Sequence, residues 1–122
     1  MNRVVHFEFN VPDTEQSITF FAKVFGWKIS KWNGPEEYYL VTTGETGEAG
    51  INGGIMRSRD GQPRTVNSID VDSVDDYARK VEESGGKIVV PKMAIPGVGW
   101  LAYCLDPGGV LFGITSTDPT AK

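Results

Sequence analysis

A histidine and a glutamate two residues apart are the first groups in this chain that could do chemistry. They lie in Val4-Val5-His6-Phe7-Glu8-Phe9-Asn10-Val11, where Val5, Phe7, Phe9 and Val11 alternate with Val4, His6, Glu8 and Asn10. A period of two is that of a strand, so His6, Glu8 and Asn10 project from one face and the apolar set from the other. An imidazole next to a carboxylate, both partly desolvated, can take or give a proton near neutral pH. One expectation is that Glu8 orients or charges His6 and that His6 exchanges a proton with a bound small molecule. The plainer alternative makes both of them satisfied polar residues lining a binding pocket.

The elements that position these residues can be read from an internal repeat. Pro12-Asp13 ends the first strand, and Asp13 can cap a helix on which Ile18, Phe21, Val24 and Phe25 recur at helical spacing. Gly26 stops the helix, and a strand follows. Sixty residues on, the same order returns: Val71 for Val11, Ser73 for Asp13, Ala78 and Val81 for Ile18 and Phe21, and Gly86 for Gly26. Three strands are expected after each helix, at Trp27–Trp32, Glu37–Thr42 and Ile51–Met56, then at Lys87–Val90, Trp100–Leu105 and Val110–Thr115. Turn residues separate them. The chain therefore reads as one α+β domain over residues 1–122. Module one covers about 1–56, a linker about 57–64, and module two about 65–117, each a βαβββ unit.

Composition excludes several classes of partner. The 122 residues carry a formal net charge of −4 and a pI near 4.9, with no cluster of Lys and Arg. A polyanion has nothing to bind, so nucleic acid is not expected as a partner. No apolar run approaches the ~18 residues of a membrane helix, and no signal peptide is visible. The single cysteine, Cys104, cannot form an internal disulfide, which fits a reducing, cytoplasmic setting. Asp70, Asp72, Asp75 and Asp76 resemble a calcium loop, but Val74 and Asp75 stand where that loop needs a ligand and a glycine. The stretch Gly44–Gly50 is glycine-rich, lacks Gly-Lys-Ser/Thr and carries acids that repel phosphate.

His6-Phe7-Glu8-Phe9-Asn10-Val11-Pro12-Asp13, then Phe20-Phe21 and Phe25-Gly26-Trp27, resembles the opening module of the vicinal oxygen chelate superfamily. That superfamily holds glyoxalase I, bleomycin-resistance proteins and extradiol dioxygenases. Asp106-Pro107-Gly108-Gly109-Val110-Leu111-Phe112 looks like its closing hairpin. Trp32–Pro35, Ile51–Gly54 and Pro91–Trp100 are similar to a bacterial subgroup described as lactoylglutathione-lyase-related. The resemblance implies two modules forming an eight-stranded, cup-shaped mixed sheet, with the helices on its outer face. It also implies, in the metal-dependent members, a divalent ion on up to four ligands. His6 stands at the first of these positions. The others fall on Val66, on Gly113, and on Gly53 or Gly54 according to a one-residue alignment choice.

With His6 as the one surviving ligand, no cofactor is expected beyond a weakly held divalent metal. Asn10, and Ser68 as the second-module counterpart of Glu8, are expected on the inner surface. Asn52 beside Gly53-Gly54, and Trp100 after a glycine-rich turn, are further ligand-contacting candidates. Trp100 and Tyr103 lie on opposite faces of one strand, so at most one of them faces the ligand. Three functions follow from the resemblance: metal-free acid–base chemistry by His6 and Glu8 on a small molecule, non-catalytic sequestration of such a molecule, or a metal-dependent lyase or dioxygenase with a depleted ligand set. A homodimer is implied on the same ground.

Overall fold

The computed structural model describes all 122 residues. The elements run β1 (Val4–Val11), α1 (Thr14–Phe25), β2 (Lys28–Lys31), β3 (Tyr39–Thr42), β4 (Gly53–Arg57), β5 (Arg64–Asp70), α2 (Val74–Glu83), β6 (Lys87–Ile95), β7 (Gly99–Leu105) and β8 (Leu111–Thr117). The order βαβββ occurs twice, and the mixed eight-stranded sheet with its two helices makes this an α+β protein. By internal contacts the chain divides into two compact units. One is His6–Val66; the other is Asn67–Lys122 together with Met1–Val5.

In the first unit the strand order is β2-β3-β4-β1. β1 and β4 run parallel, while β2/β3 and β3/β4 are antiparallel. Helix α1 begins where the sequence places its cap: Asp13 has an extended backbone and its side chain accepts from Gln16 N at 3.1 Å. It ends at Gly26, whose φ of 70° lies in the left-handed region that a side chain resists. The apolar face of β1 then packs under it. Val11, Val41 and Ile55 are buried against Phe7, Phe9, Ile18, Phe21, Trp27 and Ile29. Phe21 and Trp27 stack at 5.1 Å between ring centroids. Val24 and Phe25, expected on the packed stripe, are instead more than half exposed. They fall at the end of the helix, where Phe25 leans on Trp27 at 5.5 Å and on Phe21 at 6.2 Å between ring centroids.

The second unit repeats the plan as β5-β8-β7-β6. Residues ahead of β1 belong to it: Asn2 N donates to the Asp70 carbonyl and Asp70 N to that of Arg3. Ser73 caps α2, accepting from Asp76 N. The core is Val71, Val74, Ala102, Cys104 and Ile114, all buried. The stop glycine shifts by one from the expected Gly86. Gly85 carries the positive φ of 92°. Gly86 serves close approach, since a Cβ there would come within 2.7 Å of the Leu105 carbonyl oxygen. β6 runs five residues past its expected end, through Pro91, with register shifts between Ile88 and Val90 and between Val90 and Met93. Pro91 gives no ladder N–H, and the shifts absorb the break.

The connection between β4 and β5 is shorter than expected because Arg57 and Arg64 both lie in strands. It is organised by Asp60, whose carboxylate takes Ser58 Oγ, Gln62 N and both terminal nitrogens of Arg64. The Arg64 guanidinium, ahead of the Gln62 N–H and the Ser58 hydroxyl, holds this carboxyl well below the usual range.

Candidate functional site

The polar face of β1 is what the alternation predicts. Glu8 and Asn10 are buried and His6 is half-buried. Asn10 Nδ2 donates to Glu8 Oε2 at 2.9 Å, which fixes the carboxylate. Burial lowers the His6 pKa from 6.5, and the charge of Glu8 raises it in part. The ring is therefore neutral at pH 7, with one nitrogen able to accept a proton and the other to donate one.

The partner of His6 is Tyr38, which the sequence reading did not single out. His6 Nε2 and Tyr38 Oη are 2.8 Å apart, and the two rings lie within 19° of parallel. The reason lies across the strands. In the β1/β4 pairing, Phe7 faces Gly53 and Glu8 faces Gly54. A Cβ on Gly53 would strike the Phe7 ring and backbone oxygen, so Gly53 belongs to the apolar face. A Cβ on Gly54 would lie 2.0 Å from Tyr38 Oη, so Gly54 belongs to the His6 face and the phenol lies directly over it. Of the two glycines, Gly54 is therefore the one on the His6 face. Trp32 completes the aromatic group edge-on to Tyr38 at 6.4 Å, and its backbone N–H donates to the Tyr38 carbonyl. The available signal was Tyr38-Tyr39 at the mouth of a strand, which puts one phenol on each face. Which face lay opposite a bare glycine depended on register.

In the second unit Ser68, buried, faces Gly113 in the parallel β5/β8 pairing. A Cβ at Gly113 would sit 2.7 Å from Ser68 Oγ and 3.3 Å from Leu101 Cδ1. Tyr103 pairs with Gly113 from β7, and with Leu101 it shares this face. Trp100 does not. It packs with Ala102 and Cys104 against the α2 side, donates Nε1–H to Asp118 and lies under the Lys92 ammonium at 4.7 Å. Beside α2 it borders a shallow hollow of about 250 Å³. Of these two residues on opposite faces of β7, Tyr103 and not Trp100 shares the face of Ser68. Asn52 is exposed and ties a loop, its Oδ1 accepting from Thr43 N at 2.9 Å. Cys104 is fully buried, and burial pushes its thiol pKa up.

A divalent ion does not fit these residues. Such a site needs about three protein ligands and an open position. His6 is the only ligand-type residue at the four family positions, Val66 and Gly113 have no donor to offer, and the phenol fills the space over Gly54. No three His, Cys, Asp or Glu side chains gather into a metal-binding group.

Two paired modules with a His-bearing first strand define a class, and comparison with known proteins agrees with it. Residues 3–114 match the model of the Glyoxalase/Bleomycin resistance protein/Dioxygenase superfamily, and the chain belongs to that superfamily. No curated protein matches significantly. Among solved structures, methylmalonyl-CoA epimerase from Mycobacterium tuberculosis is similar at 18% identity and a TM-score of 0.69, with 95% of this chain and 88% of that one covered. A Streptomyces coelicolor methylmalonyl-CoA epimerase variant in complex with 2-nitronate-propionyl-CoA gives 13% identity and a TM-score of 0.73, over 100% and 99%. The Mn(II)-bound glyoxalase from Novosphingobium aromaticivorans gives 22% and 0.68, over 99% of this chain and 41% of that one. At these identities the likeness is one of fold. No helix is long and apolar enough to cross a membrane.

Proposed function

We propose that this protein binds a small oxygenated molecule against the His6–Glu8–Asn10 face, and that neutral His6 moves a proton on it without a divalent ion. The observation that carries this reading is one strand face bearing a half-buried imidazole at 2.8 Å from a phenol and a buried carboxylate fixed by an amide. Burying such groups costs free energy that an apolar face would not. Glu8, held by Asn10, contributes its charge: it favours the imidazolium that forms when His6 takes a proton.

The structural relatives support a small-molecule ligand. One is in complex with a CoA derivative and another is a metal-bound glyoxalase. A second reading is sequestration without turnover, favoured because His6 and Glu8 both already have hydrogen-bond partners. A homodimer in the cytoplasm belongs to either reading, and light scattering tests the first half of that.

The test is native mass spectrometry of protein taken from cells, followed by binding and turnover of whatever co-purifies. His6→Ala and Glu8→Gln are expected to weaken binding or turnover by about tenfold or more, that is about 1.4 kcal/mol or more. Their thermal midpoints should stay within a few degrees of wild type. Wild-type affinity in both variants would remove the site from this face, and unfolding of both would make the residues structural. Turnover by the parent protein that His6→Ala abolishes separates catalysis from sequestration.

A further inference from the structure

We infer that Tyr38 stands in for the family's missing metal ligand: its phenol occupies the space over Gly54 and takes His6 Nε2 as a hydrogen-bond partner, so that a divalent ion cannot reach that nitrogen without displacing the phenol. This rests on the reading of the His6 face as the ligand face and adds the group that has taken the metal's role there. Three observations converge on it. Gly54 lies directly across from Glu8, at the position where the resemblance expects a ligand on the last strand of module one. The phenol lies so close that no side chain can share the space, because even a Cβ would be 2.0 Å from Oη. The same phenol is at hydrogen-bonding distance from the one family ligand that survives.

The two features require each other. A carboxylate-bearing residue at position 54 would expel Tyr38, and Tyr38 in place forbids such a residue. The hydroxyl is a neutral donor and acceptor. It donates to His6 Nε2 or accepts from it according to the ring tautomer, and where Nε2–H is the donor the hydroxyl can donate to a ligand oxygen next to the imidazole. The ligand class is thus one with a carbonyl, enolate or carboxylate oxygen that accepts a neutral hydrogen bond.

The experiment uses metal alone as the probe. Chelator-treated wild type, His6→Ala, Tyr38→Ala and the double variant Tyr38→Ala/Gly54→Glu are titrated with Zn(II) and with Mn(II). Calorimetry and the ring NMR signals of His6, the chain's one histidine, report binding. Wild type and His6→Ala should give the same heats, with the wild-type ring signals unmoved at one equivalent of Zn(II). Tyr38→Ala should expose the ring to Zn(II), and the double variant should bind it about tenfold or more tightly than wild type. Stoichiometric His6-dependent binding by wild type would overturn the inference, as would a folded Tyr38→Ala whose ring ignores Zn(II) as wild type does. These readouts involve no small-molecule ligand. Failure here leaves the proposed binding face standing, and failure of ligand binding leaves the metal result standing.

Discussion

Replacing Gly54 with alanine should cost little stability yet release His6, whereas the same change at Gly53 should cost much and leave His6 alone. The two glycines are adjacent in β4 and both are buried, but they meet different obstacles. At Gly54 the new Cβ would be 2.0 Å from Tyr38 Oη, and ordinary contact begins near 3.4 Å, so the phenol must retreat by about 1.4 Å. It is the far end of a side chain and can swing. The loss is the His6–Tyr38 hydrogen bond, about 0.5–1.5 kcal/mol net. It is offset by the roughly 0.5–1 kcal/mol that alanine gains over glycine inside a strand. The net change lies between a gain of about 0.5 and a loss of about 1 kcal/mol. At Gly53 the Cβ would be 2.4 Å from the Phe7 backbone oxygen. That atom cannot move without parting β1 from β4, so the cost reaches the top of the overpacking range, about 3 kcal/mol. Urea unfolding with unchanged m-values gives both numbers. NMR titration of the lone histidine gives the second readout: in Gly54→Ala water reaches the ring and its pKa rises towards 6.5, while in Gly53→Ala it stays where it was. Equal costs at the two positions, or a His6 titration indifferent to Gly54→Ala, would refute the placement of Tyr38.

Three other outcomes follow from the same geometry. His6 should titrate below 6.5 in the folded protein because burial disfavours the charged ring, and Glu8→Gln should lower it further by removing the charge that opposes burial. Because the unfolded chain then takes up the proton first, this contribution to stability is whole above about pH 6.5. It declines as pH falls from there to the folded pKa, at no more than ~1.4 kcal/mol per pH unit, and is flat below it; unfolding measured across that window would refute the sign if stability rose on acidification. Asp13→Ala should cost about 1 kcal/mol by orphaning the Gln16 N–H, with Asp13→Asn restoring most of it, and an unchanged urea midpoint in the alanine variant would count against the cap. Cys104 should ignore a water-soluble thiol reagent in the native protein and react once unfolded, since it is buried and its thiol pKa is raised; fast native labelling would contradict its place in the core.

Much of the fold was legible because local rules and the repeat agreed. Alternation in Val4–Val11, a capping type at Asp13 and Ser73, and a glycine after each helix are signals of neighbouring residues, and each element formed where they pointed. Legibility failed where the outcome depended on residues far apart in sequence. The choice between Gly53 and Gly54 needed the register Glu8↔Gly54, and that register alone reveals why Tyr38 reaches His6. Trp100 and Tyr103 were known to oppose each other, but which of them joined Ser68 was decided by Ala102 and Cys104 packing against α2. The left-handed residue is Gly85 rather than Gly86, whose missing side chain instead admits the Leu105 carbonyl oxygen, a long-range contact that local signals do not carry. On the candidate site, the sequence places His6, Glu8 and Asn10 on one face but not Tyr38, the hydrogen-bond partner of His6.

The irregular course of β6 bears on how the protein behaves among its own copies. β6 and β2 close the two ends of the strand order, and open strand ends are templates for foreign strands. Pro91 removes a donor from one of these rims, and two register shifts distort it further. Lys28 and Lys31 place charge along the four residues of the other. Fibrillar growth by strand recruitment is thereby discouraged at both rims, and a concentrated solution of this protein should stay free of dye-binding cross-β aggregates unless Pro91 is replaced.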